Sequence, residues 1–242
     1  MPSRLDGFKP VYDQDGIQIY HGDCRKVVPL LPAMDLLLTD PPYGIQVAKR
    51  GTVGSDAPAN SKRPAWARKI RCTKFEPVDW DDAPPPAWLL AMLRAKTRHQ
   101  IIWGGNYFEG LPGGPCWLVW DKRNGATSWA DCELAWTNLP KAVRMIKWRW
   151  SGMLQEDMKN KEKRLHPTQK PVALMDWCLG KAPAGIGSVL DPYMGSGSVL
   201  LAAQKAGLRA IGIERHLPYI SKAIERLEMG RKKRAELVPA LA

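Results

Sequence analysis

Apolar residues in this chain come in short runs that stop abruptly at acids, prolines and glycines. Leu36-Leu37-Leu38 runs into Thr39 and ends at Asp40-Pro41-Pro42-Tyr43. An unbroken apolar run of strand length, closed by turn formers, predicts a buried strand ending at the edge of a sheet. Each proline fixes its own φ at about −65° and restricts the residue before it, so Asp40 and Pro41 continue neither as strand nor as helix. Neither proline carries an N–H. The expected loop is therefore stiff and rich in acceptors, with the Asp40 carboxylate and nearby carbonyls converging and no donor between them. It suits a ligand amino group, with Tyr43 placed to stack on its ring. A second stretch repeats the pattern: Val189-Leu190-Asp191-Pro192 is a strand and a stop, then Tyr193-Met194-Gly195-Ser196-Gly197 turns into an apolar helix from Val199 to Ala206.

The remaining patterns fill in around these two. Ile17 to Tyr20 reads as a strand ending at His21-Gly22-Asp23-Cys24, followed by a short helix from Arg25 to Leu31. Trp88 to Arg98 has helical spacing, and His99 to Trp103 is a strand ending at Gly104-Gly105-Asn106-Tyr107, where two glycines predict close approach of the backbone to something. Cys116–Trp120, Cys132–Trp136 and Val143–Trp150 follow one another without helices, which predicts an antiparallel edge on a parallel sheet. On the last of them Trp148 and Trp150 share a face, read as facing the core, with Lys147 and Arg149 opposite. Pro171 opens a helix from Val172 to Leu179. Arg209 to Glu214 is the next strand, with Glu214 about 20 residues past Gly195, the spacing at which a strand-end carboxylate reaches a ribose hydroxyl. A helix from Pro218 to Met229 precedes a basic tail, Gly230 to Arg234.

Composition narrows the class. The chain has 242 residues and a formal net charge of +12, enough for one α/β domain with a small appendage and basic enough for a polyanionic partner, nucleic acid first. Eight Lys or Arg and one Asp lie between Lys49 and Lys74, in a polar segment without periodicity. Such a segment inside a compact domain predicts a loop that contacts phosphates, through Lys49, Arg50, Lys62, Arg63, Arg68, Lys69 and Arg71. Five scattered cysteines without a C-x-x-C pair support neither a disulfide framework nor a metal site and fit a reducing cytoplasm. With no signal-type stretch and no run of about 18 apolar residues, neither secretion nor a membrane is expected.

Asp40-Pro41-Pro42-Tyr43 together with Asp191-Pro192-Tyr193-Met194-Gly195-Ser196-Gly197 resembles the amino-methyltransferases of DNA, whose catalytic motif is [DNS]-P-P-[YFW] and whose cofactor loop is D-P-F-x-G-S-G. Tyr193 stands where Phe is usual. His166-Pro167-Thr168-Gln169-Lys170-Pro171 resembles the same family's H-P-T-x-K-P signature. The order of these motifs resembles the beta arrangement and covers nearly the whole chain. The resemblance implies a Rossmann-like, circularly permuted α/β fold with a mixed seven-stranded sheet and an antiparallel edge. It forms one domain over 1–242, with a basic loop at about 46–75 and a short target-recognition segment at about 144–165. It implies S-adenosyl-L-methionine held by Asp23 and Cys24, Asp40, Thr168 and Lys170, Asp191, Pro192 and Tyr193, Gly195, Ser196 and Gly197, Glu214 and Arg215. It implies catalysis by Asp40, Pro41, Pro42 and Tyr43, with no metal. The partner implied is double-stranded DNA, in a bacterial or phage setting, with a homodimer and a partner endonuclease left open. Asp in the first motif position favours adenine N6 over cytosine N4. A C5-cytosine enzyme would need Pro115-Cys116 as a nucleophile loop, but that dipeptide begins a strand. A nicotinamide dehydrogenase would need a third glycine where Leu200 stands, and a non-catalytic DNA-binding protein would leave both motifs unexplained.

Overall fold

Leu36 and Leu38 pack on one side of a sheet and Leu37 on the other, all three fully buried, because successive side chains of a strand alternate and this strand is covered on both faces. The computed structural model describes residues 9–46, 52–53, 73–74, 80–124, 130–151 and 154–237. In chain order the strands are β1 (Tyr12–Gln14), β2 (Ile17–His21), β3 (Met34–Thr39), β4 (Thr52–Val53), β5 (Thr73–Lys74), β6 (Thr97–Trp103), β7 (Trp117–Asp121), β8 (Cys132–Thr137), β9 (Arg144–Lys147), β10 (Trp150–Ser151), β11 (Leu154–Gln155), β12 (Ser188–Asp191) and β13 (Arg209–Glu214). The α-helices are α1 (Cys24–Val27), α2 (Ala87–Ala95), α3 (Val172–Leu179), α4 (Ser198–Lys205) and α5 (Leu217–Leu237).

Nine strands form the main sheet, in the order β1-β2-β13-β12-β3-β6-β8-β7-β9. From β2 to β6 every pairing is parallel; β8 is antiparallel to both β6 and β7. One face carries the aliphatic sides of α3, α4 and α5, the other those of α1 and α2. Strand β2, near the start of the chain, pairs with β13, the last strand, His21 opposite Glu214, so the chain is a circular permutation of the usual order, as the motif sequence implies. It is an α/β fold with a mixed sheet and an antiparallel edge.

Four details differ from expectation. The sheet has nine strands, not seven: β1 adds a hairpin to β2 through Asp15-Gly16, both at positive φ, the geometry of a type I′ turn. At the far edge β9 pairs parallel with β7. The run Val143–Trp150 is not one strand. Trp148 donates its backbone N–H to the Asp121 carbonyl, and its own carbonyl accepts the Trp120 indole N–H at 2.8 Å; β9 has ended at Lys147, and buried Trp150 begins β10. Both tryptophans pack on the core. Finally the basic stretch 230–234 is helical, because α5 continues to Leu237: Gly230 lies close against the Gln204 side chain and Arg234 donates to the Gln204 carbonyl. The seven basic residues expected to contact DNA, Lys49, Arg50, Lys62, Arg63, Arg68, Lys69 and Arg71, lie outside the described residues.

Candidate active site

The strand order reverses between β12 and β3, since β13 and β2 lie to one side of that pair and β6 to the other. Open sheets bind ligands in the crevice at the carboxyl ends of strands where this reversal occurs. Asp191 ends β12 and Asp40 follows β3. The Thr39 hydroxyl joins the two strand ends by donating to Asp191 Oδ1 at 2.8 Å, an oxygen that also accepts the Tyr193 N–H at 3.2 Å. Burial lifts the Asp191 carboxyl to about 7, and the nearby charges of Asp40 and Glu214 push the same way.

On the β13 side, Glu214 ties the glycine turn to its strand. Its Oε2 accepts the Gly195 N–H at 3.1 Å and its Oε1 accepts the N–H groups of Arg215 and His216 at 2.8 Å each. Burial raises this carboxyl and the three N–H bonds oppose the rise. Gly195 and Gly197 hold positive φ, and a Cβ at Gly197 would lie 3.0 Å from Ala223 of α5, so the turn suits glycine there on two grounds. One strand further out, Asp23 caps α1 by accepting the Arg25 N–H at 2.9 Å and pairs with the Arg25 guanidinium, which holds its carboxyl below the usual range. Cys24 is buried beside the Tyr193 hydroxyl. Thr168 is bonded to His166 Nδ1 through N–H and hydroxyl. That imidazole is stacked on Trp80 at 5.1 Å, and burial, reinforced by the Lys222 and Lys170 charges, drives it down to about 3, so it is neutral.

On the β6 side the structure departs from the acceptor-only loop that the prolines suggest. Lys170 Nζ lies 2.7 Å from both carboxylate oxygens of Asp40, and the Tyr43 hydroxyl donates to Asp40 Oδ1 at 2.7 Å. Two donors therefore sit where none is expected. Lys170 also reaches Glu133 Oε2 at 2.8 Å, and Lys122 pairs with the other oxygen of Glu133. Burial raises the Asp40 carboxyl and Glu133 adds to it, against Lys170; in Glu133 the cations outweigh burial and bring it down to about 2. Lys170 stays charged because its two carboxylates overcome its desolvation.

Tyr43 is held in place by ring and backbone contacts. Its ring stacks on Tyr107, centroids 4.9 Å apart and planes 14° from parallel, and the backbone of Gly104 lies so close that a Cβ there would fall 2.1 Å from its Cε1. The two glycines after β6 thus do mark a close approach, and the exposed ring of the pair is Tyr107.

Glu133 and Lys122 are site residues that the sequence pattern does not single out. The reason is directional: β8 runs against β6, so its first residues, not its last, arrive at the reactive edge, while β7 delivers its end, Asp121-Lys122, to the same place. A carboxylate near the start of a strand reads as a surface position. Among the described residues no group of three or more His, Cys, Asp or Glu is placed to hold a metal ion, and no helix is long and apolar enough to cross a membrane.

Comparison with known proteins agrees with this geometry. Residues 116–225 match the N6/N4 family model described as DNA methylase. The chain is 24% identical to the type II methyltransferase M.ScaI of Streptomyces caespitosus, over 91% of this chain and 84% of that one. It is 28% identical to the putative methylase YubD of Escherichia coli K12, over 80% and 82%. Among solved structures it resembles the M1.HpyAVI–SAM complex, with TM-score 0.50, 22% identity and coverage of 87% and 99%. It also resembles the cytosine-N4-specific PvuII DNA methyltransferase, with TM-score 0.54, 13% identity and coverage of 94% and 95%. Residues 116–225, the stretch that carries Lys122, Glu133, Lys170, Asp191 and Glu214, are thus similar to the N6/N4 DNA methylase family.

Proposed function

We propose that this protein transfers a methyl group from S-adenosylmethionine to the exocyclic N6 of adenine in double-stranded DNA. One observation carries the reading: Asp40 stands at the strand-order reversal, joined through Thr39 to the Asp191 strand end, whose glycine turn is held by Glu214. The residues present fit the cofactor. Glu214 Oε2 holds a single backbone N–H and keeps acceptor capacity for a ribose hydroxyl, while Asp23 stands just past the end of β2 for the adenine. Asp191 to Gly197 would line the same side, with Thr168 towards the methionine end. When bound, the cofactor supplies an electrophilic methyl group on a sulfonium sulfur.

What the chain contributes is positioning of the nucleophile. An exocyclic amino nitrogen is weakly nucleophilic because its lone pair is delocalised into the ring. Asp40 and the Pro41 carbonyl, accepting one amino hydrogen each, favour a pyramidal nitrogen with a localised lone pair. Asp40 is also the group placed to take the proton that nitrogen sheds after transfer, and its raised affinity for protons suits that task. Inside a duplex the amino group is out of reach, so the base is flipped out. The basic segment holding Lys49, Arg50, Lys62, Arg63, Arg68, Lys69 and Arg71 supplies phosphate contacts, and residues at about 144–165 contribute to target recognition. A single catalytic domain carries all of this. Incubation of unmethylated duplex DNA with the protein and cofactor, followed by digestion to nucleosides and mass spectrometry, should yield N6-methyladenine. N4-methylcytosine in its place would transfer the assignment to the other base, and unmodified DNA from every sequence offered would overturn the reading.

A further inference from the structure

We infer that Glu133 is a positioning residue for the transfer: it shares Lys170 and the Tyr43 hydroxyl with Asp40, and takes over both when a substrate amino group arrives. The inference rests on the amino-methyl transfer proposed above. Donor counting motivates it. Lys170 has three N–H bonds and three neighbours, Asp40 at 2.7 Å, Glu133 at 2.8 Å and the Tyr43 oxygen at 3.0 Å. The Tyr43 hydroxyl has one proton and two carboxylates within reach, Asp40 at 2.7 Å and Glu133 at 3.0 Å, and can serve only one at a time.

As it stands, Asp40 already accepts from two donors, Lys170 across both oxygens and the Tyr43 hydroxyl on Oδ1, so part of its acceptor capacity is taken. An arriving amino group needs that capacity, and a charge stripped of its partner in such a place is costly to leave unpaired. Glu133 removes the difficulty. It lies within hydrogen-bond distance of both displaced donors, so side-chain proton and ammonium reorientation suffices, and Lys122 on its other oxygen anchors it. The ionisable groups facing Asp40 are Lys170 before α3, Glu133 on β8, Tyr43 in its own loop and Asp191 at the end of β12, with Lys122 behind Glu133.

Three variants separate this role from a structural one: Glu133→Gln, Lys170→Met and the double variant. In Glu133→Gln, Lys170 and Tyr43 settle on Asp40 alone, so the single-turnover rate should fall about tenfold or more, with cofactor and DNA affinities unchanged. In Lys170→Met, Asp40 loses its cation and the acid limb of the pH–rate profile should move to higher pH. The double variant should be faster than Glu133→Gln, because the donor that locks Asp40 is gone. Carbon-13 titration of the Asp40 carboxyl in the free protein, assigned by its disappearance in Asp40→Asn, gives a readout independent of activity. Its midpoint should fall in Glu133→Gln, which removes a neighbouring negative charge, and rise in Lys170→Met. Unmoved midpoints, a Glu133→Gln variant at the wild-type rate, or a double variant slower than both singles would overturn the inference. Wild-type protein that transfers no methyl group, with midpoints shifting as described, would instead overturn the reaction proposed above and with it Glu133's part in it, leaving the charge sharing intact.

Discussion

Asp191 shows how a functional strand end costs stability. Its carboxyl is lifted to about 7 by burial, against an ordinary unfolded value near 3.8, so between those limits the unfolded chain ionises while the folded one holds its proton. Stability from this group is therefore lost as pH rises from about 4 to about 7. Asparagine keeps the Oδ1 acceptor for Thr39 and Tyr193 but carries no charge. Asp191→Asn should match wild type in chemical denaturation at pH 4 and exceed it at pH 8, by on the order of 2–4 kcal/mol; equal stability at both values would contradict the assignment. Glu214 is an anchor whose three backbone partners define the glycine turn. Glu214→Ala should weaken cofactor binding, read by calorimetry, by about 1.5–3 kcal/mol for each charge-assisted hydrogen bond removed. Asp40, Asp191 and Glu214 are all legible in the sequence, because an acid that closes an apolar run marks a strand end. Lys170 as the partner of Asp40 is not: it lies 130 residues away, and no local pattern reports a pairing made only by the assembled sheet.

Elements are readable where their punctuation is plain. Strands β3, β12 and β13 and helix α4 lie within a residue or so of expectation. The hairpin that adds β1 carries a signal, Asp15-Gly16 between alternating residues, but three residues make too faint a strand for periodicity to find. Helix α5 outruns its expected end by two turns, since glycine and a run of cations normally end a helix, whereas here Gly230 packs on Gln204 and the cations find partners. The tryptophan stripe is interrupted because β9 pairs with β7 whereas Trp150 begins β10, which pairs with β11 instead, a change of partner that periodicity cannot see. The turn after β6 offers a sharp test of how elements position the site. Gly104 has φ +75° and its missing Cβ leaves room for the Tyr43 ring. Gly104→Ala should displace that ring from Tyr107 and from Asp40, lowering the methylation rate by about 10²-fold while the fold melts only a few degrees earlier. Near-normal turnover in that variant would show that the ring's place is immaterial.

Across the whole molecule, permutation brings segments from both ends of the chain to one sheet edge, and divides the labour. Strands β2, β13 and β12 present the residues proposed for the cofactor; β3, β7 and β8 present Asp40, Tyr43, Lys122 and Glu133. In the proposed function the net charge of +12 would supply attraction to DNA, and the basic segment should account for part of it. Replacing Arg68, Lys69 and Arg71 with Ala should flatten the plot of log affinity against log salt by about 0.9 for each phosphate that the variant no longer neutralises, leaving the methylated sequence unchanged. An unchanged slope would make the segment a bystander. The division of labour makes the central claim testable in one variant, because Asp40 should matter to the transition state and little to binding. Single-turnover transfer from labelled cofactor by Asp40→Ala, with calorimetric cofactor binding on the same preparation, should show a rate lower by about 10²-fold or more and an affinity close to wild type. Near-normal transfer, or cofactor binding abolished together with activity, would contradict the placing of the chemistry at the end of β3.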